Sequence, residues 1–214
     1  MKEMAMRALV LAAAAAAASI QAAADERPVA IGAFSAIEAA AGMSVTVEPG
    51  APRATLVGDP RYFDRVIVEV QGDTLKISRK SWTSWGSSWR DQVKVRVTGP
   101  ADLKRLAASS GADLTAVKLV GGAVDLDASS GAELKVAGTC TTLRAEASSG
   151  ADLDARKLIC QDASARASSG ADLDVYAEKT ARGGASSGAD VTVHGTANLV
   201  EKSSSSGGSV RKSS

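Results

Sequence analysis

A short motif recurs six times toward the C-terminal side of this 214-residue chain, and its spacing limits the fold more than any other feature. The first copy reads Ser109-Ser110-Gly111-Ala112-Asp113-Leu114, and its glycine is followed by equivalents at Gly131, Gly150, Gly170, Gly188 and Gly207, at intervals of 18 to 20 residues. A unit of that length cannot bury an apolar face by itself. It must stack on its neighbours, and the stack supplies both the core and the partners for the backbone.

Inside each period the apolar residues alternate. After the glycine come Leu114 and Ala116, Leu134 and Val136, Leu153 and Ala155, Leu173 and Val175, and Val191 and Val193; before the next one come Val124, Leu126 and Ala128, then Leu143, Ala145 and Ala147. Period-two alternation means strands with one buried side. Each period therefore holds two strands, and layers add at about 4.8 Å each. The predicted fold is all-β: a right-handed parallel β-solenoid, or β-helix, with about 19-residue two-strand rungs over residues 100–214. Ala181-Arg182-Gly183-Gly184 reads as a pinched rung, and Ser203 to Ser214 as a polar last strand that protects the open end.

Residues 25–99 alternate as ordinary β structure, with Met43 to Val47, Ala54 to Val57, Val66 to Val70, Thr74 to Ile77 and Val93 to Val97 separated by glycine-containing turns. Asp59-Pro60 starts one helical turn. This segment is expected to pack on the solenoid or continue it, covering its other end. Residues 1–24 carry Lys2 and Arg7, an apolar stretch from Ala8 to Ile20 and Ala22-Ala23-Ala24, the pattern of a cleaved secretory signal. The mature chain is expected to start at Asp25, to hold no transmembrane span, and to be exported to the periplasm, the cell surface or the medium. Without Lys2, Arg7 and Glu3, 23 basic and 23 acidic residues remain, so no charge excess directs the chain to nucleic acid.

Five acids occupy one position of successive rungs: Asp113, Glu133, Asp152, Asp172 and Asp190. Stacked in register they repel one another, and the repulsion is relieved by water, by cations such as calcium, or by a partner. The plainer reading is that each carboxylate bonds its own turn. The Ser-Ser-Gly corners form a second file, either simply permitting the bend or offering hydroxyls to a flat polymer. Cys140 and Cys160 each stand ten residues before the following glycine, which puts their Cα atoms within disulfide range if the corner adjusts. Trp82, Trp85 and Trp89 hold three of the seven aromatic residues within the serine-rich loop 81–89, as a hydrophobic plug or as a surface for sugars or membrane. His194 is the only histidine, so no two-histidine metal site exists.

Taken in order, Phe34-Ser35-Ala36-Ile37, Gly42-Met43-Ser44-Val45-Thr46-Val47, Gly72-Asp73-Thr74-Leu75-Lys76-Ile77, Val93-Lys94-Val95-Arg96-Val97, Pro100-Ala101-Asp102-Leu103 and the recurring Ser-Gly-Ala-Asp-Leu resemble the putative auto-transporter adhesin head domain family, or GIN domain. The resemblance implies a secreted or envelope β-solenoid and supplies no catalytic residues. Where the family often has Gly-Ser-Gly this chain has Ser-Ser-Gly, and the tryptophan insertion is not part of the pattern.

The expected function is a non-enzymatic, cofactor-free surface for adhesion, binding or envelope organisation, with a glycan or another envelope component as partner. One alternative is a polysaccharide lyase or hydrolase built on Asp152, Asp154, Asp172 and Asp174, with Lys135 or Arg156 as the basic residue. The other is a structural protein stabilised by calcium on the acid file, with no metal site assigned.

Overall fold

Every Ser-Ser-Gly motif of the computed structural model, which describes residues 25–80 and 92–213, makes the same tight turn. Residues 1–24, expected to be a secretory signal, and Trp82, Trp85 and Trp89 lie outside the described residues. The second serine of each motif has φ between +48° and +55°, and the glycine after it has φ between +66° and +78°. Two successive left-handed residues define a type I′ turn, whose twist matches the strands it joins. Backbone bonds close it: Ala112 N–H donates to Ser109 O at 3.2 Å, and Ala132, Ala151, Ala171 and Ala189 repeat the contact. Holding serine in this region costs about 1–2 kcal/mol per residue. Bonding between layers offsets that cost, because the glycine amide of one turn donates to the left-handed serine carbonyl of the next. The series runs Gly111 to Ser130, Gly131 to Ser149, Gly150 to Ser169, Gly170 to Ser187 and Gly188 to Ser206, at 3.0–3.2 Å.

The strands in chain order are β1 (Asp25–Val29), β2 (Ala36–Ala39), β3 (Ser44–Pro49), β4 (Arg53–Gly58), β5 (Val66–Gln71), β6 (Thr74–Arg79), β7 (Val93–Gly99), β8 (Arg105–Ala108), β9 (Asp113–Val120), β10 (Ala123–Ala128), β11 (Glu133–Ala147), β12 (Asp152–Ala167), β13 (Asp172–Ser186), β14 (Asp190–His194), β15 (Asn198–Ser205) and β16 (Ser209–Lys212). They form two parallel faces. Face A stacks β7, β3, β9, then the first halves of β11, β12 and β13, then β14 and β16. Face B stacks β6, β2, β8, β10, then the second halves of β11, β12 and β13, then β15. The serine turns join the faces along one edge. Along the other, β11, β12 and β13 pass from face to face as continuous strands, bent at register shifts after Lys135 and Ala155. The expected second corner is thus a bulged bend rather than a turn.

The N-terminal strands continue the solenoid. Ala41 and Gly42 have φ of +60° and +69°, giving β2 and β3 the same corner as the repeats. That layer lies between the β6–β7 layer and the β8–β9 layer, so spatial order departs from chain order. Beyond β6 and β7, β5 pairs antiparallel with β6 and β4 with β7, and β1 pairs antiparallel with β4. The single 3-10 turn Pro60–Arg65 is capped by Asp59, whose carboxylate accepts from Arg61 N–H at 3.0 Å. It buries Phe63 beneath the guanidinium of Arg27, 5.2 Å from the ring centre.

The core is a file of leucines facing a tapering file. On face A, Leu114, Leu134, Leu153 and Leu173 are buried in register. On face B the matching column runs Leu106, Leu126, Ala145, Ala165, Gly183. The taper draws the faces together: a Cβ placed on Gly183 meets Val210 Cγ1 at 2.5 Å. Cys140 and Cys160 stand in register in adjacent layers, joined by a disulfide with Cα atoms 4.5 Å apart. At the C-terminal end, the segment expected as one polar strand is the end of β15, a sixth turn and β16. The inward columns there end in Lys202 and Lys212, and the Lys212 ammonium reaches the Ala197 carbonyl at 2.7 Å.

Candidate functional site: two ion-bearing faces

The outward positions of face A make two charged columns. Asp113, Glu133, Asp152, Asp172 and Asp190 align in the first, and Thr115, Lys135, Asp154, Asp174, Thr192 and Arg211 in the second. Alternate residues of a strand share a face, so a carboxylate and a base two apart come together. Lys135 pairs with Glu133, and Arg156 grips Asp154 through Nε at 2.9 Å and Nη2 at 2.6 Å. Arg156 also lies 3.9 Å from Asp174, whose other contact is His194 Nε2 at 2.8 Å. Arg211 donates to Thr192 Oγ1 at 3.1 Å and stands 3.9 Å from Asp190. These groups surround a shallow depression of about 390 Å³.

Two neighbouring acids respond in opposite directions. Partial burial, and then the charges of Glu133, Asp172 and Asp154, push Asp152 above the usual carboxylate range, with Lys135 opposing. The Arg156 side chain holds Asp154 below it, against its own burial. Burial leads the first shift and the repulsion expected of stacked acids adds to it; the second shows how a paired base keeps a carboxylate charged. The hydrogen bonds that close the turns are backbone to backbone, so the turn geometry does not rest on the Asp152 or Asp172 carboxylates. Among the described residues no three His, Cys, Asp or Glu side chains converge as a metal ion requires. Asp152, Asp154, Asp172 and Asp174 share the depression, but Lys135 and Arg156 are held in ion pairs beside them.

Face B carries a second depression, of about 530 Å³, beside the serine edge. Ser148, Ser168 and Ser186, the first serines of three successive turns, form one wall, and Glu146, Arg166 and Gly184 align along the floor. Arg105 pairs with Asp127 at 3.4 Å and Arg144 with Glu146 at 2.7 Å. The spacing of Arg144 and Glu146 two apart is the sequence signal for such a pair. What the repeats alone do not reveal is the groove, which opens because Gly184 carries no side chain. In sequence the three tryptophans fall between β6, which ends at Arg79, and β7, which begins at Val93.

No curated protein matches this chain in sequence. Several solved structures share its fold, among them three from Bacteroides and Parabacteroides. A putative adhesin from Bacteroides fragilis is 14% identical with a TM-score of 0.67, the alignment covering 89% of this chain and 97% of that one. A putative lipid binding protein from Parabacteroides distasonis is 17% identical with a TM-score of 0.53, over 91% and 98%. A putative adhesin from Parabacteroides merdae is 13% identical with a TM-score of 0.50, over 91% and 98%. At these identities the likeness is one of fold. The sequence profile of the family described as putative auto-transporter adhesin, head GIN domain, matches residues 33–197. That span runs from the layer carrying Ala41 and Gly42 to the strand before β15, and the chain belongs to this family.

Proposed function

We propose that this chain is an exported, non-enzymatic β-solenoid that adheres to a component of the cell envelope or of a neighbouring cell surface. The observation that carries the reading is the register of the outward columns: like positions recur layer after layer over both faces, a geometry suited to an extended, repetitive partner rather than to one small substrate. The bases beside the acids on face A are ion-paired, which suits a recognition surface better than general acid–base chemistry. The leader-like residues 1–24 and the Cys140–Cys160 disulfide support an oxidising compartment outside the cytoplasm. Trp82, Trp85 and Trp89, which lie between β6 and β7 in sequence, add rings that stack on sugars or enter a membrane interface.

The test incubates mature protein, residues 25–214, with isolated sacculi, with outer-membrane vesicles and on a glycan array. Retention on at least one surface, weakened when the three tryptophans are changed to alanine, is the expected result. No retention on any of them, or release of unsaturated product from a uronic-acid polymer, overturns the reading.

A further inference from the structure

We infer that the groove on face B is a binding site for a linear acidic glycan lying along the stacking axis, its anionic group seated on Arg166. The inference rests on the adhesive role proposed above and names the ligand class and the residues.

The two depressions differ in charge. On face A, six carboxylates from Glu133, Asp152, Asp154, Asp172, Asp174 and Asp190 face the three bases Lys135, Arg156 and Arg211, so an anion is repelled. On face B the carboxylates of Asp127 and Glu146 are each held by a guanidinium of the neighbouring column, Arg105 and Arg144. Arg166 follows Glu146 in the same column, and the positions after it are Gly184 and Ser203, neither of which offers a carboxylate. Asp125 stands between Arg105 and Arg144 in their own column, so three carboxylates meet three guanidiniums here, against six carboxylates and three bases on face A. The guanidinium of Arg166 makes no ion pair or side-chain hydrogen bond among the described residues. An exposed guanidinium with its fork unused suits bidentate capture of a carboxylate, sulfate or phosphate.

The wall beside it selects the kind of anion. Ser148, Ser168 and Ser186 are half-buried, and their hydroxyls bond no side chain among the described residues. They recur once per layer, at about 4.8 Å, close to the rise of one sugar ring in an extended chain. Hydroxyls that both donate and accept match the hydroxyls of a glycan. A nucleic acid would call for a run of bases and aromatic stacking surfaces; this groove has neither, and the chain has a formal net charge of only +1. The volume of about 530 Å³ lies in the range of ligand-binding clefts.

Binding of the mature protein to polygalacturonate, to neutral dextran and to a single-stranded oligonucleotide is measured by calorimetry at low and moderate salt. Three variants are compared: Arg166→Gln, Gly184→Glu and, as a control remote from the groove, Arg53→Gln. A Cβ on Gly184 meets Arg166 Cγ at 3.7 Å, an ordinary contact, so Gly184→Glu is accommodated and places a carboxylate beside the arginine. Thermal unfolding of each variant verifies folding. Polygalacturonate alone is expected to bind, more weakly as salt rises. Losing one charge-assisted contact weakens it about tenfold to a hundredfold in Arg166→Gln. Gly184→Glu abolishes binding and Arg53→Gln leaves it unchanged.

Equal binding to dextran, stronger binding to the oligonucleotide, or an undiminished Arg166→Gln overturns the inference. So does failure to bind polygalacturonate by a protein that still adheres to sacculi or vesicles, and that outcome leaves the broader adhesive role standing.

Discussion

The backbone amide of Gly42 donates to the carbonyl of Ser110 at 3.0 Å. Through this bond the Ala-Ala-Gly corner of the N-terminal segment joins the file of Ser-Ser-Gly corners. It makes the N-terminal layer part of the same hydrogen-bonded edge, which continues layer by layer to the pairing of Gly188 with Ser206.

That edge depends on left-handed backbone. At Gly150, φ is +66° and a Cβ meets nothing within 4 Å, so Gly150→Ala carries conformational strain alone. It is expected to lower unfolding stability by about 1–2 kcal/mol. Gly138 is different: its φ is +147°, and a Cβ there would lie 2.1 Å from the Leu119 carbonyl. Gly138→Ala must move backbone, and a loss above about 3 kcal/mol is expected for a clash of this kind. Urea unfolding of both variants checks the order, and equal losses would contradict it.

The disulfide ties residues 20 apart in sequence. Removing it restores chain entropy to the unfolded state worth about 3 kcal/mol for a loop of this length. The double variant Cys140→Ser and Cys160→Ser should therefore unfold at lower denaturant, with the slope showing a less constrained unfolded chain. An unchanged midpoint would show that the bond contributes nothing.

The opposite shifts of Asp152 and Asp154 predict opposite pH effects. Asp154 is held low by Arg156, so its contribution is present above the ordinary value of 3.8 and is lost as pH falls through the lower folded value. Asp152 is raised, so it costs stability once pH exceeds its folded value, and the cost disappears below 3.8. At neutral pH Asp152→Asn should stabilise and Asp154→Asn destabilise, each by roughly half a kcal/mol given solvent screening. Both effects should vanish in acid. Carboxyl chemical shifts followed through a pH titration test the order of the two groups directly.

The inward lysines of the last layer should act against end-to-end stacking. Replacing Lys202 with alanine and Lys212 with valine continues the columns of Gly183 and Val193 and leaves an apolar, unpaired edge. Light scattering is expected to show a mass that rises with concentration in the double variant and not in the parent. A concentration-independent mass for the variant would remove this role for the lysines.

The repeat was legible because its turn needs two left-handed residues in succession, and Ser-Gly written six times advertises that need. The corner at Ala41 and Gly42 is not legible in the same way, because a single Ala-Ala-Gly has no such signature; its bond to Ser110 supplies the reason for the conformation. Of the two arrangements left open for residues 25–99, continuity with the solenoid holds, and its layer order was not readable. Strand alternation fixes which side chains point inward, whereas the placing of β2 and β3 inside β6 and β7 depends on pairings distant in sequence. The acid file was visible from spacing alone. The ion pairs beside it also lay in plain view, Glu133 with Lys135 and, in the neighbouring column, Asp154 with Arg156, once strand residues two apart are read as neighbours. The groove on face B was hidden, since it arises from what Gly184 lacks.

A chain built from nearly interchangeable corners runs the danger of assembling out of step by one whole repeat, with every turn satisfied and every layer in the wrong company. The graded column Leu106, Leu126, Ala145, Ala165, Gly183 gives each layer its own address. Only a residue without a side chain fits where Val210 reaches across, so a strand shifted by one repeat would drive Ala165 against that methyl group and be rejected. The uneven interior thus proofreads the even exterior.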